Sequence, residues 1–282
     1  MKENSRIDVL ITGGTGRLGS IVTRLLRTKG WECLSLDRKE FDVTDYDGMA
    51  RIIEIFHPPL IIHTGGYTDV DGAERDWRQA MAVNFVGTEN LARICQNEGC
   101  ELLYLSTDYV FDGEKESPYY EEDEPNPINL YGWSKLGGEY AILSRLKHYY
   151  IIRTSFLFGA RGDFIDRILT GIKSGRLSFV PGNFAAPTYY PDLAKAIVEL
   201  ITTRRYGIYH LSNQGFCSRY RFATAVLNRL GIDVEIIPMP PPRDMAPRPH
   251  YSVLSSSRWQ KSGLKPLRFW QDALHHYLTD FH

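Results

Sequence analysis

The chain has 282 residues, 43% of them hydrophobic and 24% charged, with 33 Lys and Arg against 34 Asp and Glu. That size and mixture suit one large α/β domain, or two unequal lobes around a cleft. A net charge of −1 supplies no broad field for nucleic acid or an anionic membrane, so neither is an expected partner and an anionic ligand needs local arginines.

The opening residues Met1-Lys2-Glu3-Asn4-Ser5-Arg6 run into a short apolar strand without the longer apolar core of a leader. No stretch approaches a membrane span, and a cytoplasmic protein is expected. Residues 7–11 read as a buried first strand that ends at Thr12-Gly13-Gly14-Thr15-Gly16-Arg17-Leu18-Gly19. Residues 18–29 carry apolar side chains at helical spacing, and Gly30 stops them. A strand over 31–36 closes at Asp37, a helix over 49–56 breaks at His57-Pro58-Pro59, and a strand over 60–63 ends in Gly65-Gly66. One long helical pattern covers 74–97, and a strand over 102–105 ends at Ser106-Thr107-Asp108. A helix over 131–146 and a strand over 149–152 follow. Beyond about residue 155 the alternation loosens. The proline-rich stretch 238–249 is too stiff for a helix or a central strand, and reads as a surface loop or a wall over a ligand.

Strict strand–helix alternation predicts a doubly wound parallel sheet of Rossmann type with a smaller C-terminal lobe that binds substrate. The division expected is 1–155 for the dinucleotide domain, with about 186–206 returning to it, and 156–282 mainly for the substrate lobe. Candidate functional residues cluster after strand ends, where open α/β sheets hold ligands. Gly13, Gly16 and Gly19 stand between a strand and a helix, as a turn needs if backbone N–H groups are to approach a pyrophosphate. Asp37 ends the second strand and is placed to accept from the adenosine ribose; Arg38 beside it suits a 2′-phosphate. The cofactor is therefore NAD(H) or NADP(H), with a lean towards the first. Tyr131 and Lys135 are one helical turn apart and share a face. An ammonium there lowers the phenol's pKa and holds ribose hydroxyls, which makes Tyr131 a proton donor beside a nicotinamide. Thr107 ends a strand with its hydroxyl available to the same substrate oxygen, and Asp108 is a cap or a substrate contact. Arg219, Arg221, Arg243 and Arg248 are candidates for a substrate diphosphate, Arg248 first among them. The four cysteines have no CxxC spacing, so buried free thiols are expected. Glu121-Glu122-Asp123-Glu124 reads as a solvated loop, His275-His276 as a solvated helix face, and Trp259 and Trp270 as core. No metal site is read.

These motifs together resemble the extended short-chain dehydrogenase/reductases, and within them the dTDP-4-dehydrorhamnose reductase family. The resemblance is carried by the glycine turn, by Thr68-Asp69-Val70-Asp71-Gly72-Ala73-Glu74, by Ser106-Thr107-Asp108-Tyr109-Val110-Phe111-Asp112-Gly113 and by Asn129-Leu130-Tyr131-Gly132-Trp133-Ser134-Lys135. Arg153-Thr154-Ser155, Ala186-Pro187-Thr188 and Arg248-Pro249-His250-Tyr251-Ser252-Val253-Leu254 extend it to nearly the whole chain. It implies reduction of a nucleotide-activated 4-keto-6-deoxy sugar by NAD(P)H, with Tyr131 as proton donor, Lys135 on the cofactor ribose, and Thr107 and Asp108 on the sugar. It also implies Asp42 and Val43 near the adenine, Gly65, Gly66, Tyr67 and Thr68 on the nicotinamide side, and Arg17 and Leu18 within the phosphate turn. Three departures stand out. Phe156 replaces a tryptophan usual against the substrate; His63-Thr64-Gly65-Gly66-Tyr67 replaces Asn-Ala-Ala-Ala-His; Ile21 replaces a glutamate tied to metal-assisted dimerisation in some members. Two alternatives stay open on the same fold: a nucleotide-sugar epimerase, and a non-catalytic regulatory subunit resembling the methionine adenosyltransferase β subunit. Dehydration is disfavoured because Tyr109, not glutamate, follows Asp108. Oligomeric state is open, a homodimer included.

Overall fold

A computed structural model describes residues 7–173 and 177–279, so the residues read for a leader, 1–6, lie outside the described residues. β1 (Val9–Thr12) is buried throughout and leads through the glycine turn into α1 (Arg17–Thr28). β2 (Cys33–Leu36), α2 (Tyr46–Phe56) and β3 (Leu60–His63) follow. α2 begins earlier than its apolar spacing suggests because the Asp45 side chain caps it, accepting from Gly48 N. The long helix expected over 74–97 is divided. α3 (Val70–Arg75) and α4 (Trp77–Met81) each start on an aspartate, Asp69 and Asp76, whose carboxylates take the N–H groups of Gly72 and Gln79. A π-helical turn, Ala82–Val86, then joins α4 to α5 (Gly87–Glu98). Apolar periodicity could not show this, because side-chain caps compete locally with continued helix.

β4 (Glu101–Thr107), a tight turn at Asp108–Val110, α6 (Leu130–Leu143) and β5 (Tyr149–Thr154) come next. The remainder holds β6 (Leu157–Phe158), α7 (Phe164–Lys173), β7 (Leu177–Phe179), β8 (Thr188–Tyr189) and α8 (Tyr190–Thr203). It closes with β9 (Gly207–His210), α9 (Arg219–Leu230), β10 (Ile236–Pro238), α10 (Ser257–Lys261) and α11 (Trp270–Thr279). Six strands form one parallel sheet in the order β2-β1-β3-β4-β5-β9. The strand order reverses between β1 and β3, where Thr12 and His63 are register partners at the carboxyl ends. That switch point is where a doubly wound sheet opens a crevice for a ligand.

Alternate strand residues face opposite layers. Val9, Ile11, Ile62, Leu103 and Ile152 pack with Leu18, Val22 and Leu26 of α1, with α8 and with Trp259. Leu10, Ile61, Leu102, Tyr104 and Ile151 pack with Met49, Ile53, Leu91, Ile94 and Ile142 on the other face. Helices cover both faces, as an all-parallel sheet requires. A separate cluster around Phe158, Phe164, Phe222 and Trp270 organises the C-terminal region. The four cysteines are free thiols, and no described helix is long and apolar enough to cross a membrane.

Candidate active site

The glycine turn is glycine for steric reasons. Gly13 has φ +64°, and a Cβ there would lie 2.8 Å from Gly65 N, a backbone atom that cannot swing aside. A Cβ on Gly16 would lie 2.9 Å from Gly13 O, and one on Gly19 would meet that same oxygen. The turn is thereby held flat against the loop after β3. No side chain caps α1 at Gly16 and its first turn holds no acidic residue, so the positive end of a 12-residue helix is left to a ligand. This cradle fits a dinucleotide diphosphate.

One cavity runs along the turn, walled by Gly13, Gly16, Arg38, Asp42, Val43, His63, Gly65, Gly66, Tyr67 and Thr68. Leu18 lies in the core under the turn instead of on that wall. Asp37 folds back on its own loop, its Oδ1 accepting from Lys39 N at 2.7 Å and Glu40 N at 3.1 Å. Arg38, in contrast, is exposed and borders the cavity. Of the two neighbours, Arg38 is the one that lines the cavity.

A second cavity is walled by Arg17, Thr107, Asp108, Tyr131, Lys135, Phe156 and Arg219, and Gly65, Gly66 and Thr68 belong to both. The Asn129 side chain caps α6 by accepting from Gly132 N, and Tyr131 and Lys135 follow in its first two turns. Lys135 is buried, with Nζ 4.1 Å from the Tyr104 ring centroid, and a Cβ on Gly66 would lie 3.7 Å from Nζ. Burial drops its pKa to about 7, with Glu139 one turn on pulling the other way. Burial also pushes the Tyr131 phenol well above its usual range, against a lowering contribution from the Thr107 hydroxyl. Desolvation is the largest effect on the phenol, and Tyr131 keeps its proton. Its ring stands edge-on to Tyr109, centroids 6.0 Å apart.

Asp108 is fully enclosed. Its Oδ2 accepts from Ser155 Oγ at 2.9 Å and from Ser252 Oγ at 2.5 Å, and Oδ1 accepts from Thr107 Oγ1 at 3.2 Å. Burial outweighs these donors and raises its pKa to about 6, from an ordinary 3.8. A carboxyl with a raised folded pKa favours folding in its protonated form, and that advantage is lost as pH rises through the folded value. Asp108→Asn removes the dependence. The melting temperature of the native chain, relative to that variant, is expected to fall between pH 4 and 6, by the equivalent of up to about 3 kcal/mol. Parallel melting curves across that window would count against the burial argument.

Phe156 has φ +40°, a strained setting for a side chain with a Cβ, and it packs against Phe164 and Phe222 with Arg219 5.5 Å from its ring centroid. Arg17 reaches away from the turn, Nη2 donating to Gly162 O at 2.9 Å. Arg248 borders a third cavity that meets the second at Asn183 and Arg219. Its two guanidinium tips grip Asp71 at 2.6 and 2.9 Å, so it is an ion pair first and not a free anion receptor. Arg219 is the arginine that faces both cavities. Arg221 and Arg243 border neither.

Several residues escaped the sequence reading. Asn84, in the π-helical turn, accepts from Tyr67 N at 2.8 Å and donates to Tyr67 O and Ser134 Oγ, both at 2.9 Å. It ties the loop below the first cavity to α6. A polar residue amid Ala82, Val83, Phe85 and Val86 was the available signal, since π-turns gather at functional sites. Ser155 and Ser252 stand in runs that carry the resemblance, but their hold on Asp108 has no local signal. Glu121 is buried, not solvated, because it accepts from the N–H groups of His210 and Arg258, both at 3.3 Å. His275 and His276 lie on an exposed helix face, and among the described residues no cluster of His, Cys, Asp and Glu could hold a metal ion.

Comparison with known proteins follows the same lines. The sequence profile of the RmlD substrate binding domain matches residues 7–282. The spore coat polysaccharide biosynthesis protein SpsK of Bacillus subtilis is 34% identical over 276 residues, 96% of this chain and 97% of that protein. The dTDP-4-dehydrorhamnose reductase of Mycobacterium tuberculosis is 38% identical over 282 aligned positions, 94% of this chain and 90% of that enzyme. The crystal structure of the Bacillus anthracis dTDP-4-dehydrorhamnose reductase in complex with NADP superposes with a TM-score of 0.93 at 33% identity, over 98% of this chain and 99% of that one. The chain belongs to the RmlD family of dTDP-4-dehydrorhamnose reductases.

Proposed function

We propose that this chain reduces the keto group of a dTDP-activated 4-keto-6-deoxy sugar with NAD(P)H, and that Tyr131 donates the proton. One observation carries the reading: Gly65, Gly66 and Thr68 wall both the cavity along the glycine turn and the cavity holding Tyr131, Lys135 and Thr107. A dinucleotide lying along the turn therefore has a direct route to the catalytic side chains. The nicotinamide, when bound, supplies hydride to the carbonyl carbon. The chain's own groups handle the oxygen. Tyr131 keeps its phenolic proton because burial disfavours the phenolate, and it gives that proton up only as charge grows on the substrate oxygen. The Thr107 hydroxyl, beside the phenol, shares the developing charge. Lys135, poised at about 7, gains its proton more readily once an anionic cofactor lies nearby, and then holds the ribose hydroxyls. The decisive experiment supplies keto-sugar nucleotides and follows loss of reduced nicotinamide. A reductase consumes it one for one with product, whereas product formation without net loss would mean epimerisation.

Arg38 is the proposed contact for a 2′-phosphate, because it borders the first cavity while Asp37 closes its own turn. Arg38→Ala should weaken NADPH binding at least about ten-fold, the low end for a charged hydrogen bond. NADH binding should stay within about two-fold of native on the same scale. Equal loss for both cofactors, measured by fluorescence titration, would remove Arg38 as the discriminator.

A further inference from the structure

The proline-rich stretch 238–249 is a strap that walls two cavities. Met239, Pro242 and Met245 line the third cavity and Pro249 the second. Two of the strap's fastenings to the first half of the chain are made by Asp71 and Asn129. At one, Asp71 accepts from Ala246 N at 2.8 Å and from both tips of Arg248. At the other, Asn129 Nδ2 donates to Pro247 O at 2.9 Å. Asn129 is itself the cap of α6, its Oδ1 accepting from Gly132 N at 2.7 Å. The two partners fix the amide's orientation, since Gly132 N–H can only donate and Pro247 O can only accept. Asn129 is buried at 3% exposure and stands two residues before Tyr131.

The start of α6 has little other freedom. Leu130 N donates to Glu74 Oε1 at 2.8 Å, and a Cβ on Gly132 would strike the backbone oxygen of Tyr109. One amide side chain therefore joins the wall of a ligand cavity to the helix end that aims the phenol. We propose that Asn129 is a positioning residue: through its two hydrogen bonds, a strap ordered by the remote part of the substrate fixes the reach of Tyr131. This rests on the reductase reading above. It gives a physical route by which binding energy far from the keto group is converted into alignment at it.

Asn129→Ser separates the two bonds, because its hydroxyl still caps the helix while the shorter side chain falls short of Pro247 O. Asn129→Ser is expected to melt close to the native chain and to bind NADPH with unchanged affinity. Its kcat should fall about 10- to 100-fold, the scale of an ångström-level misplacement, with KM changed far less. Limited trypsin digestion, read without substrate, should cut faster after the exposed Arg243 in the strap. Asp71→Asn loosens the other fastening, so the double variant should lose less than the product of the two single losses. A native-like kcat and native-like digestion in Asn129→Ser would overturn the proposal. So would identical kcat losses in Asn129→Ser and Asn129→Ala, each matched by an equal fall in melting temperature, for then the residue is only a cap. If the native chain consumes no NAD(P)H with any keto-sugar nucleotide while digestion still quickens in Asn129→Ser, the reductase reading fails and the strap fastening stands.

Discussion

Tyr131→Phe should bind NADPH and melt like the native chain, yet reduce a keto-sugar nucleotide about 10² to 10⁴ times more slowly, the range for a positioned general acid. Phenylalanine keeps the ring, its edge-on contact with Tyr109 and the first turn of α6 behind the Asn129 cap. Only the hydroxyl goes, so a change confined to the chemical step follows. Thr107 cannot replace it: an aliphatic alcohol is a far weaker acid than a phenol, so its hydroxyl can stabilise the oxygen by a hydrogen bond but not protonate it. Single-turnover measurements with bound NADPH isolate that step from product release. A Tyr131→Phe rate within about five-fold of native would assign the proton to another group, Asp108 first, since its carboxyl of pKa about 6 lines the same cavity.

The parts of this site that could be read from the sequence are those written in local spacing. Gly13, Gly16 and Gly19 signal a turn because a side chain at each would strike backbone, and Tyr131 and Lys135 signal a shared face because four residues make about one turn. The strand ending at His63 was bounded by its apolar run and the glycines after it. What escaped depends on partners far along the chain. Arg248 is a candidate for an anion by its type alone, and its pairing with Asp71, 177 residues away, is not written locally. Glu121 looked solvated, but His210 and Arg258 enclose it from 89 and 137 residues away. The phenol's pKa is a related case: a neighbouring charge can be counted from sequence, whereas the burial that raises the phenol is a property of the packed cleft. The cut between α3 and α4 does have a local cause, the Asp76 cap, which overrides the apolar periodicity running through it.

Arg153→Met should destabilise the fold by about 3–5 kcal/mol, the cost of leaving a buried partner charge alone. Arg153 and Glu139 have side chains 3% and 0% exposed, and the guanidinium meets both carboxylate oxygens, Nη2 at 2.7 Å and Nε at 3.1 Å. The same carboxylate accepts from Ser106 Oγ at 2.5 Å, and the guanidinium lies 5.1 Å from the Phe111 ring centroid and 3.4 Å from His210 Nε2. The pair thus clamps α6 onto β4 and β5 directly behind Lys135. Methionine fills much of the volume but leaves the buried Glu139 carboxylate with one hydroxyl and no counter-charge. Adding Glu139→Gln should recover more than half of the loss, since a neutral amide needs no counter-charge, and the recovery separates charge burial from mere volume change. At roughly 2–4 °C per kcal/mol for a chain of this size, the single variant should melt about 6–20 °C below native. A fall under about 3 °C would show that water reaches the pair, and that the rigidity assigned to the back of the catalytic helix has another source.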